Sequence, residues 1–371
     1  MLGNVLLIVL GFSLLVVMFV VGLFSWQYFH TRGLAYFGRP LAERQRFKQQ
    51  VARYGRFIRP LLRPLAPRLS DPNQFTVAYN GVYAPANNCN NKTFTQAVHY
   101  APQPHDLFVV TQMKCGTTWM QQLAYEVLLH GQGDFSDAGH GHLYATSPWL
   151  ESFNGVSMAG APLIGPSQTR LIKTHLPSSL CPYSEAARYI YVTRHPASCY
   201  RSLVDFFHAL SEPFTPADEV LLEWFCSDQM WFGSWPDHVA GFWQWSQTRS
   251  NVLFVHFEEM KRDLPTVIQQ VAAFLDVVLT DAEQVQVAEK CSFDYMKAHE
   301  DQFEMMPPSL LASGDTFFKS GSLHRHASLD SAHKARILAF CREKLAGCNY
   351  PLARFYPDVA ADGRYKTPLL D

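Results

Sequence analysis

The stretch Asp106–Trp119, DLFVVTQMKCGTTW, limits the folds open to this chain more than any other segment. Leu107–Thr111 is a short apolar run rich in β-branched residues, which suits a strand buried on both faces. The pattern breaks at Lys114, Cys115 and Gly116. It resumes with the capping hydroxyls of Thr117 and Thr118, then with Trp119, Met120, Leu123, Val127 and Leu128 at helical spacing. A buried strand that passes through a glycine turn into a helix aims several backbone N–H groups, and the positive end of the helix dipole, at one point. That point attracts phosphate, and Lys114 adds a full charge to it. The competing interpretation is a turn-capping Gly116 beside a solvated Lys114. The lysine precedes the glycine, so the G-x-x-x-x-G-K-[ST] order of ATP-binding loops is absent, which counts against a nucleotide-dependent kinase.

Three further apolar runs have the same character: Arg170–His175, Ala187–Arg194 and Asn251–Phe257. Pro196 opens a helix through Ala209, and helical spacing continues over about 215–229, 236–248 and 264–276. Strands alternating with helices predict an α/β fold, a P-loop-like parallel sheet flanked by helices. Ligands collect at the carboxyl ends of such strands. Lys114–Thr118, Lys173–His175 and Arg194 all fall there. Gly131–Gly165 reads as irregular chain over the site. His140 and His142 within it have no third ligand at suitable spacing, so no metal is expected and they are read as surface histidines.

The N-terminus sets a second constraint. Val5–Phe24 carries no charge and is long enough to cross a bilayer. A cleaved signal peptide fits poorly, because no Lys or Arg precedes the run and no small-x-small site follows. Trp26, Tyr28 and Phe29 are placed for an interfacial belt. Between Arg32 and Arg68 there are ten basic residues against one acid, Glu43; by the positive-inside rule this flank is cytoplasmic, within reach of anionic lipid. Leu61–Pro72, with three prolines, reads as a stiff connector. The expected division is a transmembrane anchor over 1–29, a basic juxtamembrane linker over 30–72 and a catalytic domain over 73–371, single-pass and facing the cytoplasm. A formal net charge of −1 gives no global case for nucleic acid. Eight scattered cysteines without a C-x-x-C pair read as reduced thiols.

Lysine-x-glycine-threonine-threonine-tryptophan after a strand resembles the phosphosulfate loop of the cytosolic-type sulfotransferases. RLIKTHLP, YVTRHPASCYRSLVDFF, FGSWPDHVAGFWQW, NVLFVHFEEMKRD and CSFDYMK resemble further blocks of that family in the same order. The resemblance implies transfer of a sulfuryl group from 3′-phosphoadenosine-5′-phosphosulfate (PAPS) to an acceptor hydroxyl or amine, with no metal. It implies His175 as the base, with Lys114 and Lys173 holding the leaving and transferring oxygens. It implies donor contacts from Lys114, Cys115, Gly116, Thr117, Thr118 and Trp119, from Arg194 and Ser202 at the 3′-phosphate, and from Phe232, Cys291 and Phe293 around the adenine. A last donor segment is expected at Phe317, Phe318, Lys319, Ser320 and Gly321.

Several positions depart from the family pattern. Gln112-Met113 stands where Tyr-Pro is usual, Cys115 where Ser is common, and Phe232 for a tyrosine. Lys319 replaces an arginine, weakening a bidentate grip to a point charge. Of the family's dimer motif only Arg262, Thr266 and Val267 remain, with Val271 in place of a glutamate, so a monomer or weak homodimer is expected. The anchor and the abundant aromatics suggest a lipophilic acceptor. A non-catalytic, membrane-associated relative is the other alternative.

Overall fold

The computed structural model describes residues 2–66, 70–211, 214–312, 318 and 328–361; Phe317, Lys319, Ser320 and Gly321 lie outside them. Two strands, β1 (Thr76–Tyr79) and β2 (Val82–Pro85), form an antiparallel hairpin. Its turn is Asn80-Gly81, at φ 48° and 80°, the asparagine–glycine pair that favours tight hairpins. That signal stands in the sequence but was not among the strands expected from it.

The four remaining strands are β3 (Asp106–Thr111), β4 (Arg170–Thr174), β5 (Arg188–Thr193) and β6 (Val252–His256). They form one parallel sheet in the order β4-β3-β5-β6. All four expected runs are present, the first longer by one residue, Asp106, and the other three shorter by one or two. β3 is buried along its whole length. Its alternating side chains divide the interior: Phe108 and Val110 join one core and Leu107 and Val109 the other, as a period of two requires. Helices Pro196–Ser211 and Trp235–Thr248 contribute to the first core, and helices Thr117–Leu128 and Leu264–Phe274 to the second. The helix expected over 215–229 is shorter, Asp218–Phe225. Val267 and Val271, from the reduced dimer motif, are buried in the second core.

An apolar helix spans Leu2–Thr31. Its Leu10–Thr31 portion is long and apolar enough to cross a bilayer, and Leu10, Phe12, Leu14, Leu15 and Val17 are exposed. The C-terminal end docks on the body of the protein. Trp26 packs against Phe47 and Tyr54 at ring separations of 5.0 and 5.6 Å, and Gln27 Oε1 accepts from the Leu310 N–H at 2.8 Å. Trp26 is thus partly taken up by tertiary packing, whereas Tyr28 and Phe29 remain exposed.

Within the basic segment 30–72 a helix spans Leu41–Leu62. Phe47, Val51, Gly55 and Ile58 are buried along one face, the helical stripe that a run of arginines disguises in the sequence. Gly55 makes a close approach possible: a Cβ there would lie 2.6 Å from the Leu310 carbonyl oxygen. Part of the basic content serves this docking. Arg44 is buried and donates to the carbonyls of Gly141, at 2.9 Å, and Asp301, while Lys48 pairs with Glu304 and Arg59 donates to the Ala312 carbonyl. Arg46, Arg53, Arg56 and Arg63 stay exposed.

Candidate active site

Between β3 and helix Thr117–Leu128 the chain turns through Gln112–Gly116. Gly116 sits at φ 103°, a left-handed conformation that costs other residues about 1–2 kcal/mol. A Cβ there would also lie 2.7 Å from the Phe257 ring. The turn is pinned from below by Gln112, whose Nε2 donates to the carbonyls of Trp231 and Gly233 at 3.1 and 3.2 Å. Cys115 turns its side chain into the core, with Sγ 3.7 Å from that of Cys199, and burial pushes its thiol pKa up.

This turn opens on a cavity of roughly 1220 Å³, open solvent included. Lys114, Gly116, Thr117, Thr118 and Trp119 line one side, and the first N–H groups of the helix have no partner within it. His175, one residue past β4, and Arg194, one residue past β5, line the same cavity, as does Ser202 on helix Pro196–Ser211. The three strand ends singled out in the sequence therefore meet at one place. Arg194 donates to the Lys114 carbonyl at 3.3 Å and lies over the Phe257 ring at 4.4 Å. The Lys114 ammonium lies 4.6 Å from the centre of the Phe206 ring.

His175 is fixed from several directions. Its Nδ1 is 2.8 Å from the Thr111 carbonyl oxygen, so Nδ1 carries the proton and Nε2 keeps its lone pair. Its backbone N–H donates to Glu151 Oε1 at 2.7 Å and its carbonyl accepts from His238 at 3.0 Å. Burial, and then the charges of Lys173 and Lys114, hold its pKa well below the usual imidazole value. The ring is therefore neutral at ordinary pH.

Lys173 differs from expectation in position. Its side chain is fully buried and is not part of the cavity wall. The ammonium donates to the Tyr144 hydroxyl at 3.0 Å and sits 3.7 Å from the centre of the Trp149 ring. Tyr144, on a short helix packed behind the cavity, thus stands between Lys173 and the site. Burial, partly offset by the charge of Glu151, brings its pKa down to about 7.

Rings surround the far end of the cavity. Trp119 donates its indole N–H to the Cys291 carbonyl at 2.8 Å and meets Phe257 edge-on at 5.3 Å. Phe293, Cys291 and Phe318 line the same part, and Lys261 lies near Trp119 and Phe293, at 5.8 and 6.0 Å from their ring centres. Phe232 does not belong to this niche. A positive φ of 64° and a 2.7 Å bond from its N–H to the Tyr83 carbonyl turn it into the core, 5.3 Å from the His175 ring. Phe257, the first residue after β6, occupies the niche instead. Its place at a strand's carboxyl end is the signal that would have found it.

Tyr144, Trp149 and Glu151 were also missed. They come from the irregular Gly131–Gly165 segment, where no spacing marks them. Glu151 is buried and accepts from Trp149 Nε1, Thr174 Oγ1 and the His175 N–H at 2.6, 2.8 and 2.7 Å. His142 is buried rather than on the surface, its Nδ1 accepting from the Tyr144 N–H at 2.9 Å, and His140 bonds to Tyr125 at 2.6 Å.

Residues 104–349 match the family model described as the sulfotransferase domain. The chain is 31% identical over 209 residues to cytosolic sulfotransferase 1 of Danio rerio, 54% of this chain and 68% of that one. It is 30% identical over 240 residues to sulfotransferase 1 family member D1 of Rattus norvegicus, 62% of this chain and 79% of that one. Among solved structures its fold resembles mouse sulfotransferase SULT7A1 complexed with PAP, at a TM-score of 0.60 and 20% identity, covering 77% of this chain and 99% of the other. It also resembles retinol dehydratase in a complex with retinol and PAP, at a TM-score of 0.61 and 19% identity, covering 78% and 97%. With that extent of match added to the loop, the sheet and the converging strand ends, the chain belongs to the sulfotransferase family.

Proposed function

We propose that this chain is a membrane-anchored enzyme that moves a sulfuryl group from PAPS to a hydroxyl of a lipophilic small molecule. The observation that carries the reading is the convergence of Lys114, His175 and Arg194, from three strand ends, on one cavity with a ring-lined niche beside it. A doubly phosphorylated adenine nucleotide suits that wall. Cations and helix N–H groups match its phosphates, and Trp119, Phe257 and Phe293 offer faces for the base. Two proteins of similar fold are solved with PAP, and one of these with retinol, an apolar alcohol.

PAPS supplies a sulfuryl group already joined to a phosphate leaving group. The new sulfur–oxygen bond forms to the acceptor oxygen as the bond to phosphate breaks, and the acceptor's proton passes to His175 Nε2. A base so placed contributes about 10²–10⁴ in rate. Lys114 neutralises charge on the departing phosphate, and the N–H groups from Gly116 to Trp119 share it. Arg194 grips the 3′-phosphate, and the Ser202 hydroxyl adds a donor. Lys173 acts through Tyr144, fixing that hydroxyl behind the site without touching the donor. Phe318, which lines the cavity beside Phe293, extends the donor wall.

Residues 1–29 anchor the chain, 30–72 strap the anchor to the body, and 73–371 carry catalysis. The basic residues that follow the apolar helix favour a cytoplasmic orientation, where the protein works as a monomer or weak homodimer. Calorimetry with adenosine 3′,5′-bisphosphate tests the site. Heat of binding is expected, and His175→Ala is expected to abolish sulfate transfer while that heat persists. Unchanged turnover in this variant removes His175 from the mechanism; no heat with the unmodified protein leaves a non-catalytic relative.

A further inference from the structure

We propose that a second, largely apolar cavity is the route by which a membrane-dissolved alcohol reaches His175, an inference that rests on the sulfotransferase reading above. This cavity, of roughly 780 Å³ with open solvent included, lies between helix Leu41–Leu62 and the segment 304–312. Phe206, Leu210, Met305 and Met306 line both it and the active-site cavity. The two spaces therefore meet at a throat of four apolar side chains, two of them methionines that adapt readily to irregular ligands. On the inner side, Phe206 lies directly beneath the Lys114 ammonium. The throat thus opens beside the centre of transfer.

The outer side lies against the end of the apolar helix. Pro307, Pro308 and Ser309 line the cavity, and the next residue, Leu310, donates its N–H to Gln27 in the last turns of that helix. On the opposite wall, Val51 and Ala52 lie between Phe47 and Tyr54 in sequence, the two rings that hold Trp26. If the helix spans a bilayer, its end marks the boundary between lipid and water. A molecule resident in lipid would meet the outer mouth there without crossing bulk water. Lys48 and Glu304 are the charged residues lining the cavity, and they pair with each other, so the lining suits a neutral apolar body. Val51 and Ala52 lie outside the 104–349 span of the family match, so this wall comes from the helix that follows the apolar one. The occupant is an amphiphile with an extended hydrocarbon body and a hydroxyl at its leading end.

The test uses the full chain in phosphatidylcholine vesicles containing a diazirine-bearing long-chain alcohol, PAPS and, separately, a small water-soluble phenol. Adducts are expected on peptides carrying Val51–Ala52 and Met305–Ser309. Ala52→Trp, and Ser309→Trp on the facing wall, are expected to lower both adduct yield and sulfation of the alcohol at least tenfold. Sulfation of the phenol, which is small enough to pass a narrowed outer cavity, should change less than threefold. Adducts confined to Leu10–Val21, or an equal loss for alcohol and phenol in both variants, would overturn the route and leave the enzyme reading intact. Sulfation of neither acceptor by the unmodified chain would overturn the enzyme reading, and the adduct map alone would then decide the route.

Discussion

Glu151→Gln separates positioning of the base from binding of the donor. The carboxylate is fully buried and receives three donors, from Trp149, Thr174 and the backbone of His175, at 2.6–2.8 Å. Hydrogen bonds to a charged acceptor contribute about 1.5–3 kcal/mol and neutral ones about 0.5–1.5. Three bonds losing about 1 kcal/mol each are offset in part because the variant no longer buries a charge, a cost visible in the raised pKa of Glu151, for which burial is the first cause. A net loss of about 2 kcal/mol is expected, or roughly 3 °C in melting temperature for a domain of about 300 residues. The amide also loosens the anchor of the His175 backbone and removes the charge that holds up the pKa of Lys173. We expect kcat to fall about 10- to 100-fold, since misplacement of a base by about 1 Å costs on that scale. Glu151 does not line the cavity, so the dissociation constant for adenosine 3′,5′-bisphosphate should stay within threefold. The assays are thermal melting by circular dichroism, sulfate transfer and calorimetry on one preparation. An unchanged kcat, or a parallel loss of nucleotide affinity, would refute the assignment of Glu151 as a positioning residue.

Two other outcomes follow from the geometry. Phe257→Ala should weaken adenosine 3′,5′-bisphosphate binding by about 1–3 kcal/mol, the usual worth of a base-stacking ring, whereas Phe232→Ala should leave that affinity unchanged and lower the melting temperature, because its ring is buried in the core; titration calorimetry of both variants decides between the two phenylalanines. Burial keeps the folded-state pKa of His175 well below its ordinary value of about 6.5, so the unfolded chain binds the proton first as pH falls. Stability from this group is thus complete above about pH 6.5 and declines below it, and the acid limb of kcat/KM should lie below pH 6.5; a limb at pH 7 or above would contradict a neutral, buried base.

Local pattern alone was enough to locate the scaffold and the charged part of the site. Short β-branched runs can be buried only as central strands, a glycine–threonine turn into a helix has few other uses, and polar residues placed just past each run must emerge at the sheet's carboxyl edge. Lys114, His175 and Arg194 were legible for that reason, because each is set by its own strand. Tertiary closure decided the rest. Whether Phe232 or Phe257 borders the niche depends on a hydrogen bond to Tyr83, a residue far away in sequence. Lys173 shares β4 with the residues leading to His175, yet Tyr144 and Trp149, from an irregular segment, hold it off the cavity wall. The helix Leu41–Leu62 reads by composition as a basic linker, and becomes a strap only because a buried stripe finds partners near Asp301 and Leu310. Periodicity reports which face of an element is apolar; what that face meets is set by the path of the whole chain.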